Sequence, residues 1–586
     1  MGVPGLWQQL AAHGTPMALE QLAWNHLCKD RSCRRMYRMG IDASQWMYHA
    51  KKSCGGAQPE LRALFFRLAR FFNLPIYPIF VLDGPHKPTI KRNAHVSHAY
   101  QPLEARFCAL LTDLGFVYWR AYAEAEAELA WMNLHGLIDG VLTDDVDALM
   151  FGSACVLRPS THDTSSDLLT VYDTREAAWD LDRDAMVLVA VLSGGDYDTH
   201  GLVHCGIKTA VALARAGFGS ALTSAFRTHF PPQCDPKQLA ASLPAWDAFL
   251  AAWRRDMRTE LRSNSHGYLS RCQPKLAASI NDAFLSTANA RRYLFDYIWP
   301  RTSEYDAMRS ASLVARLARV PPYERVDLHA LAQTLQQSFL WTPSAVLDKL
   351  ERLLLDGVYV RELIAAANTD KQVNAQDNAD ANKRLHEGIL TTSSTASPSV
   401  SVAAKSAPKP IVDELSVKLA AMQVHAFKAF PEPSLHMRDI HSMRTKHGRL
   451  ELRVSYDADT FVNGLAKAMR LQHASSAATV RRVWLPVPLL LAQGKQLSER
   501  VRAYLAARKR SKYPTDLSWC DKGPSSVHAR GERQTRLTSF MTHGPSAKTC
   551  TPIHEKSVDD DSCELIRVVY SDVIVLSDSS LSSPSL

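Results

Sequence analysis

The sequence lacks the patterns typical of disulfide-rich, zinc-binding or membrane proteins. Its 11 cysteines are an odd number and include no C-x-x-C pair, which argues against a disulfide framework and against a zinc finger. No apolar run approaches 18 residues, and the N-terminal segment MGVPGLWQQL has no basic region ahead of an apolar stretch. We therefore expect a soluble chain without a secretion signal or membrane contact, with reduced thiols in the cytosol or nucleus.

A strong charge of one sign is also lacking. The 586 residues hold 68 Lys and Arg against 59 Asp and Glu, a formal net charge of +9. This excess permits a polyanionic partner such as nucleic acid without requiring one. Hydrophobic residues make up 46% of the chain, so a wholly disordered chain is excluded. The length predicts about three to four domains, or fewer domains with linkers.

Strand-like and helical patterns alternate over residues 1 to about 220. Buried strands are predicted at RMGID (38–42), IYPIFVLD (76–83) and VLTDDVD (141–147), and helical periodicity at 60–72 and 102–114 lies between them. This alternation predicts an α/β fold with a mostly parallel central sheet flanked by helices.

The rest of the chain divides by composition. Residues 220 to about 365 predict mostly helix. A linker is predicted over 366–410, where residues 369–409 are rich in polar and small residues and lack apolar periodicity. Strands at 451–456 and 480–485 and a helix at 496–508 predict a small module over 411–515. Residues 516–586 are polar and predict a disordered tail.

Acidic residues cluster where the predicted strands end. Acids follow the three strands, open the helical stretch AEAEAELAWMN and occur in SGGDYD; they are Asp42, Asp83, Asp145, Asp147, Glu124, Glu126 and Asp196. In an open parallel sheet the crevice beyond the carboxyl ends of the strands is the binding site, so these carboxylates are predicted to meet there. Any single one is about as often a helix cap or a turn residue, but seven together favour a functional site.

This donor set predicts a metal centre. Seven like charges in one crevice repel each other, and divalent cations remove that conflict. Oxygen ligands suit Mg²⁺, or Mn²⁺ in its place, better than zinc. Two such ions about 4 Å apart hold the attacking water and the leaving oxygen of a phosphodiester. Because residues i and i+2 point about 200° apart on a helix, Glu124 and Glu126 are expected where a loop enters the helix. Glu128 and Asp144 are interpreted as solvated or supporting neighbours.

Six motifs carry a family resemblance. MGVPGLW, GIDASQWMYHA, FVLDGPHKP, AEAEAELA, LTDDVDALMFG and LSGGDYD occur in that order and resemble the flap endonuclease/XPG superfamily of structure-selective nucleases, most of all its Holliday-junction resolvase branch in fungi and animals. The resemblance covers roughly residues 1–220. It implies a PIN-like nuclease core with an N-terminal region over 1–95 and an internal region over 105–200. It assigns the seven acids to binding two Mg²⁺ ions, with Ala123 where the family usually has Gly.

The resemblance also assigns basic and glycine residues. Lys91 and Arg92 lie where the family places basic groups near the scissile phosphate; solvated turn residues are the alternative. Gly2 falls in the segment that lies against DNA in the family. About 40 residues separate Asp83 from Glu124, where flap-threading members carry a longer helical arch. The short segment favours an open site that accepts a branched duplex.

Residues 196–365 resemble the family's helix–two-turn–helix followed by a helical DNA-binding region. The segment from Gly201 through Gly206 to Lys208 corresponds to the two turns, whose backbone amides grip duplex phosphates in the family. The family also holds K⁺ at this motif, and a Val-His pair stands here where it has Pro-Gly. An ordinary lysine at a helix start is the alternative for Lys208.

The module at 411–515 resembles the chromodomain-type module of junction resolvases, and extra duplex contact is its predicted role. Residues 481–540 hold 13 Lys and Arg against 4 Asp and Glu. The basic run at 508–512 is typical of a nuclear import signal, which predicts a nuclear location; a solvated helix end is the alternative.

Two segments of the tail resemble docking motifs. The first resembles the box that binds the sliding clamp, with a methionine at the second aromatic position, and is formed by Gln534, Leu537 and Phe540. The second precedes an Asp- and Ser-rich stretch and resembles a SUMO-interacting segment; it comprises Val573, Ile574, Val575 and Leu576. Such a segment adds a strand to the sheet of its partner. An apolar accident in a polar tail is the alternative.

The predicted function is a Mg²⁺-dependent endonuclease that resolves four-way junctions in DNA recombination and repair, acting as a dimer on branched double-stranded DNA. A flap-type nuclease of the same superfamily and a non-catalytic DNA-binding scaffold are the alternatives. A PIN-type ribonuclease shares the acidic sheet end, but such enzymes lack the N-terminal motif and the two-turn extension seen here.

Overall fold

The computed structural model describes residues 2–29, 33–88, 90–91, 94–95, 102–160, 167–233, 236–319, 326–389, 436–469 and 480–509. Within these ranges no helix combines the length and the apolar character needed to cross a membrane. The cysteines of the same ranges that carry free thiols are Cys28, Cys33, Cys54, Cys108, Cys155, Cys205 and Cys272.

The strands of the described residues are β1 (Thr15–Ala18), β2 (Tyr37–Asp42), β3 (Ile76–Leu82), β4 (Ile90–Lys91), β5 (Ala94–His95), β6 (Val117–Arg120), β7 (Gly140–Leu142), β8 (Cys155–Pro159), β9 (Leu168–Asp173), β10 (Met437–Lys446), β11 (Arg449–Asp457) and β12 (Val480–Pro486). Seven of them form a central sheet with the order β1-β9-β8-β7-β2-β3-β6. The five strands from β8 to β6 are parallel, whereas β9 pairs antiparallel with both β8 and β1. The prediction of a mostly parallel sheet is confirmed; the antiparallel edge was not predicted.

The helices of the same residues are α1 (Leu6–Leu10), α2 (Leu19–Lys29), α3 (Ala43–Ala50), α4 (Pro59–Phe72), α5 (Pro102–Asp113), α6 (Ala125–Leu134), α7 (Asp147–Met150), α8 (Arg183–Ser193), α9 (Ile207–Arg215), α10 (Phe218–His229), α11 (Pro236–Ser263), α12 (Pro274–Ser279), α13 (Ala288–Ile298), α14 (Ala307–Arg319), α15 (Leu328–Phe339), α16 (Pro343–Ile389), α17 (Asp459–Ala468), α18 (Val487–Leu491) and α19 (Lys495–Lys509). Short 3₁₀ turns cover Ala11–His13 and Ser303–Tyr305.

The core lies around the parallel strands. Every residue of β3 is buried, as expected for a continuous apolar strand covered on both faces. Helices α3, α4 and α6 pack against this strand. Because β2 and β3 run parallel in register, the residues that follow them emerge at the same edge of the sheet.

The prediction for the third strand was too long. Strand β7 ends at Leu142, Asp145 lies in the loop after it, and Asp147 begins α7. The Asp145 amide donates to Thr143 Oγ1 at 3.0 Å, and the Asp147 amide donates to Asp145 Oδ1 at 3.1 Å. Such local bonds between side chain and backbone compete with the pairing of strands, so the extended segment ends early.

Residues between 207 and 389 are mostly helical, in agreement with the prediction for 220–365. Helix α16 extends to Ile389, so its backbone continues through the first part of the predicted linker (366–410). Lengthening an existing helix needs no new nucleus, so a stretch without apolar periodicity can prolong it. Residues 390–410 lie outside the described ranges.

Residues 436–469 and 480–509 of the predicted small module form a three-stranded antiparallel sheet, β10-β11-β12, with α17, α18 and α19. The module packs against α16, where Tyr456 stacks on Tyr359 with ring centroids 4.1 Å apart. The Tyr456 hydroxyl also donates to Asp356 Oδ1 at 2.6 Å. Strand β10 and helices α17 and α18 were not predicted, and the chromodomain-type resemblance stays a prediction.

Candidate active site

Carboxylates from distant parts of the chain meet around one lysine. Lys91 Nζ lies 2.6 Å from Glu124 Oε1, 3.3 Å from Glu126 Oε2 and 3.5 Å from Asp196 Oδ2. We call Lys91 and the seven predicted acids the carboxylate cluster. Burial of this cluster is extensive, since Glu124 and Asp196 are 7% and 3% exposed.

Asp42 is the last residue of β2 and Asp83 follows β3 directly, and both carboxylates accept a hydrogen bond from Ser44. The Asp42 carboxylate caps α3 by accepting from the amides of Ser44 (2.7 Å) and Gln45 (3.2 Å). Ser44 Oγ donates to Asp83 Oδ2 at 3.1 Å, and the amide of Ala125 donates to Asp83 Oδ1 at 3.1 Å. Asp83 is therefore tied both to the first turn of α3 and to the start of α6.

Glu124 and Glu126 lie where a loop enters α6, as predicted. Glu124 is the N-cap residue with extended backbone (φ −92°, ψ 139°), and Glu126 lies in the first turn. The Tyr197 hydroxyl donates to Glu124 Oε2, and the Tyr197 ring packs edge-on against Tyr297 at 4.7 Å. These contacts hold Glu124 towards the cluster.

Gly2 lies directly against the acids that follow β7. Its φ of +77° falls in the left-handed region, and a Cβ placed on it would collide with Asp145 Oδ1 and Asp147 Oδ1. Only glycine permits this approach. Asp147 Oδ1 is buried and has no hydrogen-bond partner among the described residues, which leaves a strong acceptor in need of a positive partner.

Burial and mutual repulsion raise the pKa values of several acids in the cluster. Burial raises the pKa of Asp42 to about 7, with the charge of Asp83 adding to the effect. Burial also raises the pKa of Glu126 and of Asp147 well above its usual value. Burial by itself lowers the pKa of Lys91, but the surrounding carboxylates outweigh it and raise that pKa well above its usual value. One ammonium therefore compensates only part of the negative charge.

The donor set fits hard divalent cations. All seven groups offer carboxylate oxygen, which Mg²⁺ and Mn²⁺ prefer, and the buried Asp147 Oδ1 is an orphaned acceptor. Across the described ranges, no group of three or more His, Cys, Asp or Glu side chains is arranged to hold a metal ion; the ammonium of Lys91 lies at the centre of Glu124, Glu126 and Asp196 instead. Three of the predicted metal ligands, Glu124, Glu126 and Asp196, thus surround an organic cation.

Several contributors to the site were not singled out in the sequence. Tyr197 follows Asp196 directly in SGGDYD, and Lys87 lies in FVLDGPHKP with Nζ 3.5 Å from Asp83 Oδ2. Both residues belong to the six motifs named above. Their position close to Asp196 and Asp83 in the sequence is the feature that could have identified them. Lys91 was expected near the scissile phosphate and lies within the cluster; Arg92 lies outside the described residues.

Glu128 is not a solvated neighbour. It is fully buried, and its carboxylate accepts from the Ser303 amide at 2.8 Å, from the Ser303 hydroxyl and from Trp119 Nε1 at 3.1 Å. Burial raises its pKa. Glu128 therefore anchors α6, the helix that begins at Glu124. Asp144 is half-buried, with Oδ2 3.9 Å from His49 Nε2.

The predicted two-turn motif is a pair of helices, α8 and α9, joined by turns. Gly201 has φ +58°, and a Cβ on it would meet the backbone of Leu192 and Gly194 within 2.6 Å, so packing explains this glycine. Gly206 is the N-cap of α9 with open space around it, and Lys208 is exposed in the first turn. Phosphate binding by these two residues stays a prediction, and both docking motifs of the tail lie outside the described residues.

Two family models match the chain. Residues 1–101 match the XPG N-terminal domain and residues 115–196 match the XPG I-region. The two matched segments contain Lys91 and all seven acids of the carboxylate cluster, the last of which, Asp196, ends the second segment.

Curated relatives cover the same part of the chain. Flap endonuclease GEN homolog 1 of Mus musculus is 29% identical over 259 residues, which are 40% of this chain and 27% of the relative. Flap endonuclease GEN-like 1 of Arabidopsis thaliana is 27% identical over 210 residues, 31% of this chain and 35% of the relative. The matched region thus spans about a third or less of the length of these relatives.

Solved structures extend the similarity beyond the two domains. A eukaryotic junction-resolving enzyme GEN-1 with cesium has a TM-score of 0.58 and 25% identity, and the match covers 87% of this chain and 100% of that one. The Holliday junction-resolving enzyme GEN1 in complex with product DNA and a Mg²⁺ ion has a TM-score of 0.57, with the same identity and coverage. These likenesses confirm the predicted nuclease fold.

Proposed function

We propose that this chain, which carries the XPG N-terminal domain and the XPG I-region, is a structure-selective DNA endonuclease that resolves four-way junctions and related branched DNA by two-metal hydrolysis. The observation that carries the proposal is the meeting of seven carboxylates at one edge of the sheet, five of them buried and three of them, Glu124, Glu126 and Asp196, in contact with Lys91. Such an arrangement is costly for stability and is typical of a catalytic centre.

The proposed chemistry assigns each group a task. When bound, two divalent ions activate a water molecule and offset the charge that develops at the scissile phosphate. The seven acids would hold these ions directly or through water, with Mg²⁺ as the natural ion and Mn²⁺ as a substitute. Lys91 would donate to a phosphate oxygen. Tyr197 and Ser44 keep Glu124 and Asp83 oriented through the hydrogen bonds described above.

The junction is the proposed main substrate because the two similar solved structures are of junction-resolving enzymes, one of them with product DNA. Flap cleavage is the second candidate, since the curated relatives are flap endonucleases by name. The short segment between Asp83 and Glu124 supports the junction, because a branched duplex needs an open approach to the site.

Further proposals concern partners and location. Resolution of a junction needs two cuts, so we propose a dimer on DNA. A monovalent ion such as K⁺ at the turns between α8 and α9 is supported by the similar enzyme solved with cesium. The tail motifs support binding to a sliding clamp and to SUMO, and the basic run at 508–512 supports a nuclear location in DNA repair and recombination.

The test is cleavage by the full chain. A labelled four-way junction, a flap and a plain duplex are incubated with protein and Mg²⁺, beside the Glu124→Gln/Glu126→Gln variant. We expect paired, symmetric nicks in the junction and none with the variant. Single cuts confined to flaps would support the second candidate. If the wild type binds but cleaves no branched DNA, a scaffold replaces the enzyme as the better description.

Sedimentation tests the dimer. The full chain is run with and without the four-way junction in the absence of divalent metal, so that the DNA stays intact. A single protein species that doubles in mass on the junction is the expected result. Binding of one protein copy at every ratio of protein to junction would contradict the proposed dimer.

A further inference from the structure

A buried carboxylate on α6 joins this helix to a distant part of the chain. Glu128 lies one helical turn beyond Glu124, and its amide donates to the carbonyl oxygen of Glu124 at 3.1 Å. Its fully buried carboxylate accepts hydrogen bonds from Trp119 Nε1 at 3.1 Å, from the Ser303 amide at 2.8 Å and from the Ser303 hydroxyl. Ser303 is fully buried as well. The helix that carries two of the proposed metal ligands is therefore fixed to the 3₁₀ turn that begins at Ser303.

Arg309 connects this turn to the end of β6. Its Nε donates to Ser303 Oγ at 3.3 Å, and its Nη2 donates to the carbonyl oxygen of Arg120. The guanidinium also lies over the Trp119 ring, 5.2 Å from the ring centroid. Arginine suits this position because its fork of donors reaches two acceptors while its flat face packs on an aromatic ring. Arg309 thus holds the last residue of β6 and the turn at Ser303 in one arrangement.

The end of β6 is in turn tied to Asp83. Arg120 Nη1 donates to the carbonyl oxygen of Asp83 at 3.0 Å. The amide of Gly84 donates to the carbonyl oxygen of Ala123 at 2.6 Å, and a Cβ placed on Gly84 would collide with the carbonyl oxygen of Ala121. Because of this close packing, the backbone at Asp83 cannot shift independently of the segment that leads from β6 into α6.

These contacts bear on the metal centre because the segment between β6 and α6 lies against Asp83 and ends at Glu124. Groups that hydrogen-bond around metal ligands set the orientation of those ligands and the affinity for the metal. Ser303 and Arg309 lie outside residues 1–101 and 115–196, which match the two XPG models. The support for the two ligands therefore comes from a part of the chain beyond the matched domains.

We propose that Glu128, Ser303 and Arg309 are positioning residues of the proposed metal centre. They fix the segment between β6 and α6, and with it the orientation of Asp83 and Glu124 towards the cations. The proposal rests on the proposed function and deepens it, because it assigns residues that raise the affinity for divalent ions without binding them. A carboxylate suits this place because both of its oxygens accept hydrogen bonds, whereas a glutamine offers one acceptor oxygen and one donor group.

Binding of Mn²⁺ without DNA tests the proposal apart from cleavage. The full chain and its Glu128→Gln variant are titrated with Mn²⁺, and the electron paramagnetic resonance signal of the free ion gives the Kd. Because its amide group faces donors, Glu128→Gln is expected to bind Mn²⁺ about tenfold more weakly. The loss of junction cleavage should be largest at limiting Mg²⁺ and shrink at saturating Mg²⁺, since the ligands remain and only their orientation has changed.

Glu260→Gln is the matched control. Glu260 lies on α11, is 2% exposed, and accepts from the Ser265 hydroxyl and from the His266 amide at 3.2 Å. Each substitution replaces a buried carboxylate that a serine hydroxyl and a backbone amide bind, so both should lower the thermal midpoint. Only Glu128→Gln should change the Kd for Mn²⁺. Equal changes of Kd in the two variants would mean that lost stability explains the effect, and would overturn the proposal.

A second pair of variants leaves the buried carboxylate intact. Arg309→Ala removes the donors to Ser303 and Arg120. Arg316→Ala removes an exposed guanidinium on the same helix that lies 5.6 Å from the ring centroid of Tyr118. Both variants lose a cation over a ring of β6, but only Arg309→Ala loses these hydrogen bonds, and it alone should weaken Mn²⁺ binding, by up to about tenfold. A wild-type Kd for Arg309→Ala, or an equal loss for Arg316→Ala, would contradict the proposal.

The proposed function and the positioning role fail separately. If the wild type cuts no branched DNA with Mg²⁺ while Glu128→Gln and Arg309→Ala still weaken Mn²⁺ binding, the enzyme function fails and the positioning role stands. If junctions are cut but neither variant changes the Kd for Mn²⁺, the positioning proposal alone is wrong.

Discussion

Two charge clusters in this molecule, each with buried members, differ in how far their charges are compensated within the protein. The carboxylate cluster sets seven acids against the ammonium of Lys91, with Lys87 beside Asp83 as a second cation. The second, which we call the interface cluster, lies where the small module meets α2 and comprises Glu20, Arg444, Lys446, Arg449 and Glu451. There Arg449 and Glu451 are 3% and 2% exposed, and their side chains lie 2.6 Å apart.

The interface cluster is compensated within the protein. Arg444 Nη2 lies 2.7 Å from Glu451 Oε2, and Lys446 Nζ lies 2.5 Å from Glu20 Oε2. Arg449 Nη1 also donates to Asn25 Oδ1 at 3.2 Å. Burial is tolerated there because each charge has a partner of opposite sign. In the carboxylate cluster, by contrast, seven acids face only the ammonium groups of Lys91 and Lys87, an imbalance that the proposed cations would remove.

The largest expected effect tests the carboxylate side of this contrast. Glu124→Gln/Glu126→Gln is expected to slow junction cleavage roughly 10³-fold, about 4 kcal/mol of barrier, because two of the proposed metal ligands are lost. The thermal midpoint should hold or rise, since repelling charges are removed. Single-turnover cleavage and thermal unfolding measure both. Glu176→Gln/Glu304→Gln, at two exposed glutamates, is the control; an equal loss of rate there would refute the assignment.

Removal of a charge from the interface cluster should lower stability, in contrast to the carboxylate cluster. Arg449→Ala leaves the buried Glu451 short of a partner and is expected to lower the free energy of unfolding by about 3 kcal/mol. Arg453 lies on the same strand with its side chain exposed, so Arg453→Ala should change stability little. Urea unfolding followed by tryptophan fluorescence compares the two. Similar midpoints for both variants would show that this pairing does not stabilise the module.

A divalent cation should offset the excess negative charge of the carboxylate cluster and so stabilise the folded chain. At about 100 times its Kd, Mg²⁺ is expected to stabilise the wild type by roughly 2.7 kcal/mol through preferential binding to the folded chain. The Glu124→Gln/Glu126→Gln variant should gain far less, whereas Arg449→Ala should gain as much as the wild type. Differential scanning fluorimetry with Mg²⁺, and with NaCl at matched ionic strength, measures the shifts. A uniform shift in all three proteins would point to general screening.

The smallest expected effect on cleavage concerns the orientation of Glu124, one of the proposed metal ligands. Tyr197→Phe removes the hydrogen bond to Glu124 and is expected to slow cleavage about tenfold, or roughly 1.4 kcal/mol, at limiting Mg²⁺. Because Tyr197 orients Glu124, a proposed metal ligand, added Mg²⁺ should recover much of the loss. Tyr268→Phe, at an exposed tyrosine, is the control. A loss that is the same at every Mg²⁺ concentration would mean that Tyr197 acts otherwise.

Much of the carboxylate cluster could be predicted from local sequence patterns. The apolar runs that form β2 and β3 mark where Asp42 and Asp83 emerge, and the spacing of Glu124 and Glu126 predicts a helix entry, which is confirmed. Predictions failed where local bonds overrode the pattern. Asp147 was expected in a strand and begins α7, because the Asp145 and Asp147 amides bond to nearby side chains.

Other failures arose from pairing at a distance. Strands β1, β8 and β9 are only 4, 5 and 6 residues long, and the β1–β9 register brings Thr15 opposite Val171. No periodicity within either segment reveals such a partner. The sequence left open whether Glu128 is solvated or supporting for the same reason, since two of the hydrogen bonds that its carboxylate accepts come from Ser303, 175 positions away.

The sequence by itself determined the chemistry of this protein: which acids it carries, the order of the six motifs around them, and the alternation that builds a parallel sheet. Only the tertiary structure decided that Lys91 stands among Glu124, Glu126 and Asp196, that Gly2 touches the acids after β7, and that Ser303 meets Glu128. The reason is physical. Periodicity and side-chain chemistry act within a few residues, whereas these contacts depend on how separate elements pack, and packing is settled by the whole core at once.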